Sequence, residues 1–243
     1  MRIAYAGVLK PSKFVIKGLA VFFALGLLLY VTLGERTDKA LSWSVAGKTI
    51  VIDPGHGGID PGAVGKNKVM EKDINLAVAK KLKEYILQGG GKVIMLREED
   101  IDLSTPETDG LLAKKREDLA KRLSITEESK ADVYISIHAN SFPGQALTGA
   151  QTFYHDKSDA GKALGKAVQA ELVSEFPENK RVAKANQDFF VLKKNKVPAI
   201  TVEVGFISNP VEETKLQEPN HQAKLAWAMY RGISRYFGEY QPN

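Results

Sequence analysis

The sequence predicts one α/β domain, built on a mostly parallel twisted sheet with helices on both faces and preceded by a hydrophobic N-terminal signal or anchor helix. Two observations predict the domain. Short runs rich in Val and Ile alternate with stretches whose apolar residues recur every three or four positions. Those runs are apolar on both alternating positions, the pattern of strands covered on both faces. A third observation, a long charge-free run near the N-terminus, sets that segment apart.

The elements follow in order. Thr49–Asp53 reads as a first strand, broken by Pro54-Gly55-His56-Gly57-Gly58. Ile74, Val78, Leu82 and Tyr85 mark one face of a helix that stops at Gly89-Gly90-Gly91, a run suited to a left-handed cap. Lys92–Leu96 is a second strand, and Leu111 to about Ser129 a charged helix. Asp132–His138 is a third strand and Ala150–Tyr154 a fourth. A helix spans Ala160–Glu175, a further strand Pro198–Val204, and a last helix His221–Tyr236, with Leu225, Met229, Ile233 and Tyr236 on one side.

Gly18–Leu33 carries no charge and is almost wholly apolar. As a helix its sixteen residues span about 24 Å, somewhat short of the roughly 30 Å hydrocarbon core. Arg2, Lys10, Lys13 and Lys17 precede it, and Glu35 and Asp38 follow, which keeps the N-terminus inside the cell and places the rest outside. The organisation read from this is a signal peptide or membrane anchor over 1–34, a linker over 35–47 and the α/β domain over 48–240.

Composition narrows the function. With 243 residues, 44% of them hydrophobic and 26% charged, the chain has enough apolar mass for one buried core. It contains no cysteine, so disulfides, thiolate metal sites and cysteine nucleophiles are excluded. The net charge is +5, but residues 1–40 hold six basic against two acidic side chains, leaving +1 for the remainder. A near-neutral domain offers no basic face to a phosphate backbone, and nucleic acid is not an expected partner.

Four polar residues stand where the strands end. His56 follows the first strand, His138 closes the third, Glu203 ends the strand that begins near Ala199, and Glu71 opens the helix after the His56 loop. In a parallel sheet these ends share one edge, where ligands bind. Two imidazoles, one carboxylate and an open position suit tetrahedral zinc, and a second carboxylate can then act as base. Each residue alone also has a structural reading: a histidine in a Gly-rich turn, a glutamate favouring a helix N-terminus. Glu203 is less ordinary, because a carboxylate inside Ala199-Ile-Thr-Val-Glu-Val-Gly-Phe206 is costly unless it is paired or functional.

Val51–Gly65, with its Asp-Pro-Gly-His-Gly-Gly core, Met70–Leu76, Ile135-Ser-Ile-His-Ala-Asn140 and Val202-Glu-Val-Gly-Phe-Ile-Ser-Asn-Pro210 together resemble the zinc N-acetylmuramoyl-L-alanine amidases of the amidase_3 family. The likeness runs from about Lys48 to Phe237, with the motifs in the family's order. It implies that His56, Glu71 and His138 hold one zinc ion and that Glu203 is the catalytic carboxylate. The implied reaction cuts the amide between N-acetylmuramic acid and L-alanine in peptidoglycan. Gly149–Tyr154, the Ile233-Ser-Arg-Tyr-Phe237 ending and the short anchored chain are similar to the family's sporulation and germination branch, which implies a role in forming muramic-δ-lactam in the spore cortex. The chain departs from many relatives at Asn67-Lys68, where glycine is usual, which puts the path to Glu71 in question. Asn140 is a candidate for orienting substrate or for capping its turn, and His155 and His221 match no ligand motif. A zinc peptidase of the stem peptide and a non-catalytic wall-binding protein are the competing readings. The expected partners are peptidoglycan, the membrane and an activating protein of unknown identity.

Overall fold

The computed structural model describes residues 22–27, 29 and 44–240. Its contacts divide the chain into two units, Met1–Ala40 and Leu41–Asn243. In the first, residues 22–27 are helical, and Phe22, Phe23, Leu25, Leu27 and Leu29 are exposed. Most of the expected Gly18–Leu33 anchor lies outside the described residues. Among those described, no helix is long and apolar enough to cross a membrane.

The second unit is an α/β domain. Its strands are β1 (Thr49–Pro54), β2 (Lys92–Met95), β3 (Val133–Asn140), β4 (Gln151–Tyr154), β5 (Lys184–Ala185) and β6 (Ala199–Phe206). Its helices are α1 (Glu71–Gln88), α2 (Leu111–Glu128), α3 (Asp159–Glu175), α4 (Phe190–Lys194), α5 (Pro210–Leu216) and α6 (Pro219–Glu239). The strand order is β2-β1-β3-β6-β4-β5. All pairs are parallel except β4 against β6, so the expected mostly parallel sheet is a mixed one with a single antiparallel contact.

Strand alternation sorts the side chains onto two unlike faces. Ile50, Ile52, Val133, Ile135, Ile137, Ile200 and Val202 point to one face and are buried under α1, α3 and α6 in the main apolar core. The opposite face has a smaller cluster around Val51, Tyr134, Leu192 and Ala199, covered by α2 and α4. That second face also carries Asp53, Ser136, His138, Thr201 and Glu203, because each lies an even number of residues from an apolar member of it. The ladder sets Asp53 beside Ser136, Ser136 beside Thr201, and His138 beside Glu203.

Chain order along the sheet reverses at β1, whose neighbours β2 and β3 lie on opposite sides. The loops leaving β1 and β3 therefore part there and open a crevice at the C-terminal edge, the usual ligand position in such sheets. Helix α1 ends as its glycines imply. Gly90 is left-handed (φ 80) and donates to Leu87, and Gly91 donates to Ile86.

The structure corrects two details. Residues 44–47, assigned to the linker, pack on the domain: Val45 is fully buried, Ser44 Oγ donates to Ser234 O, and Gly47 N–H to Gly90 O. Strand β3 does not close at His138 but runs to Asn140, and β6 continues past Glu203 to Phe206. Pairing resumes at Asn140 and Phe206 after a register shift that falls between His138 and Asn140. The charged stretch α2 forms the expected helix and buries Asp118, Arg122 and Thr126, one turn apart.

Candidate metal centre

Each of the four predicted residues reaches the crevice by its own route. His56 sits two residues beyond β1 in a left-handed conformation (φ 63), strained for a residue with a side chain. Two fully buried arginines hold it there. Arg97 donates from Nε to Pro54 O (2.9 Å) and from Nη2 to Gly55 O (3.0 Å) and Lys72 O (2.8 Å). Arg122 donates to Pro54 O (3.1 Å) and His56 O (2.9 Å). Three consecutive carbonyls of the loop are thus fixed from behind, a case of local strain over-determined by its surroundings.

Arg122 is anchored in turn by Asp118 (2.6 Å) and by Asp53, which also accepts from Tyr134 Oη and from Ser136 Oγ (3.0 Å). Burial alone would raise the Asp53 carboxyl. The Arg122 charge, then the Tyr134 hydrogen bond, outweigh it and hold the carboxyl below its ordinary value. Arg122 is raised well above its ordinary value by Asp53 and Asp118 against the cost of its own burial.

Glu71 is the first residue of α1, so its carboxylate meets the helix N-terminus and the crevice together. The approach through Asn67-Lys68 is well defined. Gly65 N–H donates to Val69 O, Lys68 N–H to Gly65 O, and Lys68 takes the left-handed conformation (φ 64), which a glycine would reach without strain. Asn67 donates from both its backbone and side chain to the buried Glu213. Glu71 itself accepts from Ala63 N–H (2.8 Å) and Ala139 N–H (3.1 Å), which ties the loop and β3 to one carboxylate.

The three groups then meet. Glu71 Oε1 lies 3.2 Å from His56 Nε2 and 2.9 Å from His138 Nδ1. The two rings stand nearly perpendicular, with centroids 4.9 Å apart. Gly55 is required for this approach, since a Cβ there would overlap the His138 ring. Burial would raise Glu71, yet the hydrogen bonds from His138 and then His56 hold it far below the usual carboxylate range. His138 is disfavoured as a cation by burial, but Glu71, Glu203 and Asp53 push it up to about 9.

Glu203 stands beside His138 in the ladder, is 8% exposed, and leaves Oε2 buried without a partner. Burial, with the Glu71 charge adding to it, outweighs the pull of His138 and His56 and raises its carboxyl to about 7. These residues floor a cleft of about 460 Å³, whose walls come from α2 (Lys114, Lys115), Phe189 just before α4, Phe190 and Val191 in α4, and Asn140.

The donor set fits zinc. His56, Glu71 and His138 each offer one donor atom within 4.8 Å of the other two, the one such group among the described residues. Zinc bonds of roughly 2.0–2.2 Å put tetrahedral ligands about 3.3 Å apart, close to two of the observed spacings. Two nitrogens and one oxygen are the borderline donors zinc takes, and the neighbouring orphaned carboxylate leaves a polar group free for chemistry. His155 and His221 lie apart from this group. His155 Nδ1 is 3.5 Å from Asp156, and the His221 ring lies 5.1 Å from that of Phe176.

The sequence reading missed Asp53, Asp60, Asn75, Arg97 and Arg122. Asp53 carried the signal that marked Glu203, a charge in an apolar strand. Asn75, wholly buried, donates to Gly55 O and Glu71 from within a helix whose polar residues looked ordinary.

Comparison with known proteins gives the family and the fold. Residues 50–235 match the family Amidase_3, N-acetylmuramoyl-L-alanine amidase. The chain is 41% identical over 219 residues to the germination-specific N-acetylmuramoyl-L-alanine amidase of Bacillus subtilis, covering 89% of this chain and 92% of that one. Its fold is similar to that of the CwlD amidase of Clostridioides difficile, solved in complex with the GerS lipoprotein (TM-score 0.77, 43% identity, 78% of this chain and 98% of that one). It is also similar to the catalytic domain of CwlV, an amidase of Bacillus (Paenibacillus) polymyxa var. colistinus (TM-score 0.68, 32% identity, 78% and 97%). With the matched residues spanning every element that builds the crevice, this chain belongs to the Amidase_3 family of N-acetylmuramoyl-L-alanine amidases.

Proposed function

We propose that this chain is a zinc-dependent N-acetylmuramoyl-L-alanine amidase acting outside the cell membrane on peptidoglycan of the spore cortex, with His56, Glu71 and His138 holding the metal and Glu203 moving the proton. The observation that carries the reading is the convergence of the His56 and His138 imidazoles on Glu71 Oε1 beside a buried carboxylate with an unpartnered oxygen. The relative from B. subtilis, described as germination-specific, supports the cortex as the substrate.

When bound, the metal supplies Lewis acidity for the amide carbonyl and for water. The remaining work falls to the chain. Glu203, raised to about 7, is poised to accept a proton from water as it attacks the lactyl carbonyl, and to return it to the departing L-alanine amine. Water adds across the bond, leaving a lactyl carboxylate on the sugar and a free amine on the peptide. Asn140, on the cleft wall two residues past His138, is placed to orient the amide.

Mass spectrometry of digested peptidoglycan tests the reaction. Free lactyl carboxylates are expected; new ends within the stem peptide, between sugars, or none at all would replace it with the peptidase, a glycosidase or the binding-protein reading. We further propose that Gly18–Leu33 holds the domain at the outer face of the membrane, as its lack of charge and the basic residues before it support. A reporter active only in the cytoplasm, fused after Asn243, should be silent, and strong signal would reverse the orientation. The relative solved with a lipoprotein supports a partner protein for this chain as well. Full cortex processing by the isolated chain in a partner-free reconstitution would argue against it.

A further inference from the structure

His56 has a second carboxylate on its far side. Asp60 Oδ2 lies 2.9 Å from His56 Nδ1, while Nε2 of the same ring faces Glu71. A neutral imidazole carries one proton and one lone pair, so the nitrogen that donates to a carboxylate fixes which one presents the lone pair. Asp60 is itself held on its other oxygen. Lys115 Nζ, on α2, is 2.9 Å from Oδ1, and Gly62 N–H donates to the same atom at 3.3 Å. With each oxygen committed to a different partner, the carboxylate cannot rotate without breaking a contact.

A merely structural role for this side chain is already filled by backbone. Gly57 and Asp60 exchange both N–H···O bonds at 3.0 Å, closing the turn without the Asp60 carboxylate. Oδ2 of the side chain is left to serve His56, while Oδ1 takes Lys115 and Gly62 N–H. Helix α2 thus grips the first ligand twice, Arg122 on its carbonyl and Lys115, through Asp60, on its ring.

We infer that Asp60 is the positioning residue of His56: it accepts the hydrogen bond from Nδ1–H, reserves Nε2 for the metal, and is braced in that pose by Lys115 from the cleft wall. This rests on the reading of His56, Glu71 and His138 as ligands. Carboxylates that orient a metal-bound histidine are worth about 10–100-fold in metal affinity.

The test measures zinc affinity of the full chain by competition with a chromophoric chelator, for Asp60→Ala, Asp60→Asn, Lys115→Met, the Asp60→Ala/Lys115→Met double variant and His56→Ala. Asp60→Ala should bind zinc about 10–100-fold more weakly, in the range of such orienting groups. Asp60→Asn, which keeps an acceptor oxygen, should lose less. Lys115→Met should also lose less, and the double variant no more than Asp60→Ala, because the lysine acts through the aspartate. Proton NMR of the zinc-loaded chain should show a slowly exchanging His56 Nδ1–H that exchanges faster in Asp60→Asn and in Lys115→Met. This readout decides the question even if Asp60→Ala does not fold. Native zinc affinity in Asp60→Ala, or native exchange in both conservative variants, overturns the inference while loss of zinc in His56→Ala leaves the ligand reading standing. Native affinity in His56→Ala sinks the ligand reading itself, so the two failures are distinct.

Discussion

Glu203→Gln separates the role of this carboxylate from that of Glu71 by two effects of opposite sign. The substitution keeps the side chain's size but removes its ability to take a proton. Loss of a positioned acid/base lowers the rate by about 10²–10⁴, which at 1.36 kcal/mol per decade is roughly 3–5 kcal/mol of transition-state stabilisation. Stability should move the other way in the metal-free chain. Burial raises the carboxyl from an ordinary 4.5 to about 7. Below pH 4.5 the group is neutral in both states and contributes nothing. Between 4.5 and 7 the unfolded chain ionises first, and above 7 the penalty is complete, at about 3 kcal/mol. The Gln variant, never ionised, should therefore gain up to that amount at pH 8 and nothing at pH 4. Denaturant titration in chelator at both pH values measures it, alongside turnover on purified peptidoglycan and zinc content after dialysis. Zinc should be retained in Glu203→Gln and weakened in Glu71→Gln. Near-native turnover in Glu203→Gln, or zinc lost there and kept in Glu71→Gln, would refute the assignment of roles.

His56→Ala and His138→Ala should each lose zinc and activity together, and native metal content by atomic emission would remove them from the ligand set. Because His138 is pushed up to about 9 in the metal-free chain, zinc must displace its proton; affinity should fall as pH drops from 9 towards 6.5, by up to about tenfold per unit. A flat profile in chelator competition would contradict this. Gly55→Ala should shift the His138 ring and weaken zinc binding while all three ligands remain, since only the added Cβ conflicts. Unchanged affinity would show that the ring can yield. Arg122→Met leaves Asp53 buried and unpaired and should cost about 3–5 kcal/mol in denaturant unfolding. Adding Asp53→Asn should recover part of the loss, and no recovery would mean that the arginine's carbonyl contacts dominate.

Much of the sheet and of its long helices was legible because the periodicity was long and strong. β1, α1, β2, α3 and α6 begin and end within about three residues of the positions their patterns imply. The two-residue β5 and five-residue α4 were not legible, since a segment that short completes neither a strand pattern nor two helical turns. Helix α5 did announce itself. Asn209 caps it through Val211 and Glu212 N–H, with Pro210 in its first turn, a start signal contained in a motif that had been read only for its chemistry.

The site divides along the same line, and for a physical reason. Glu203 and the two histidines were found because their chemistry is out of place in their own elements: a carboxylate in an apolar strand, imidazoles where strands end. Arg122 and Asp118 are an ordinary i,i+4 pair on a charged helix, and nothing local says that this stripe faces inward. It does so because Asp53, buried on the second face of the sheet, must be met by a cation, and α2 brings Arg122 onto it. Arg97 reaches three carbonyls 25 to 43 residues away in sequence, a distance over which no pattern of spacing carries information. Ligand chemistry is therefore written locally, while the rigidity that holds His56 in a left-handed pose is written in tertiary contacts, from Arg97 after β2 and from Arg122 on α2. A chain could keep His56, Glu71, His138 and Glu203 intact and still lose the metal through α2.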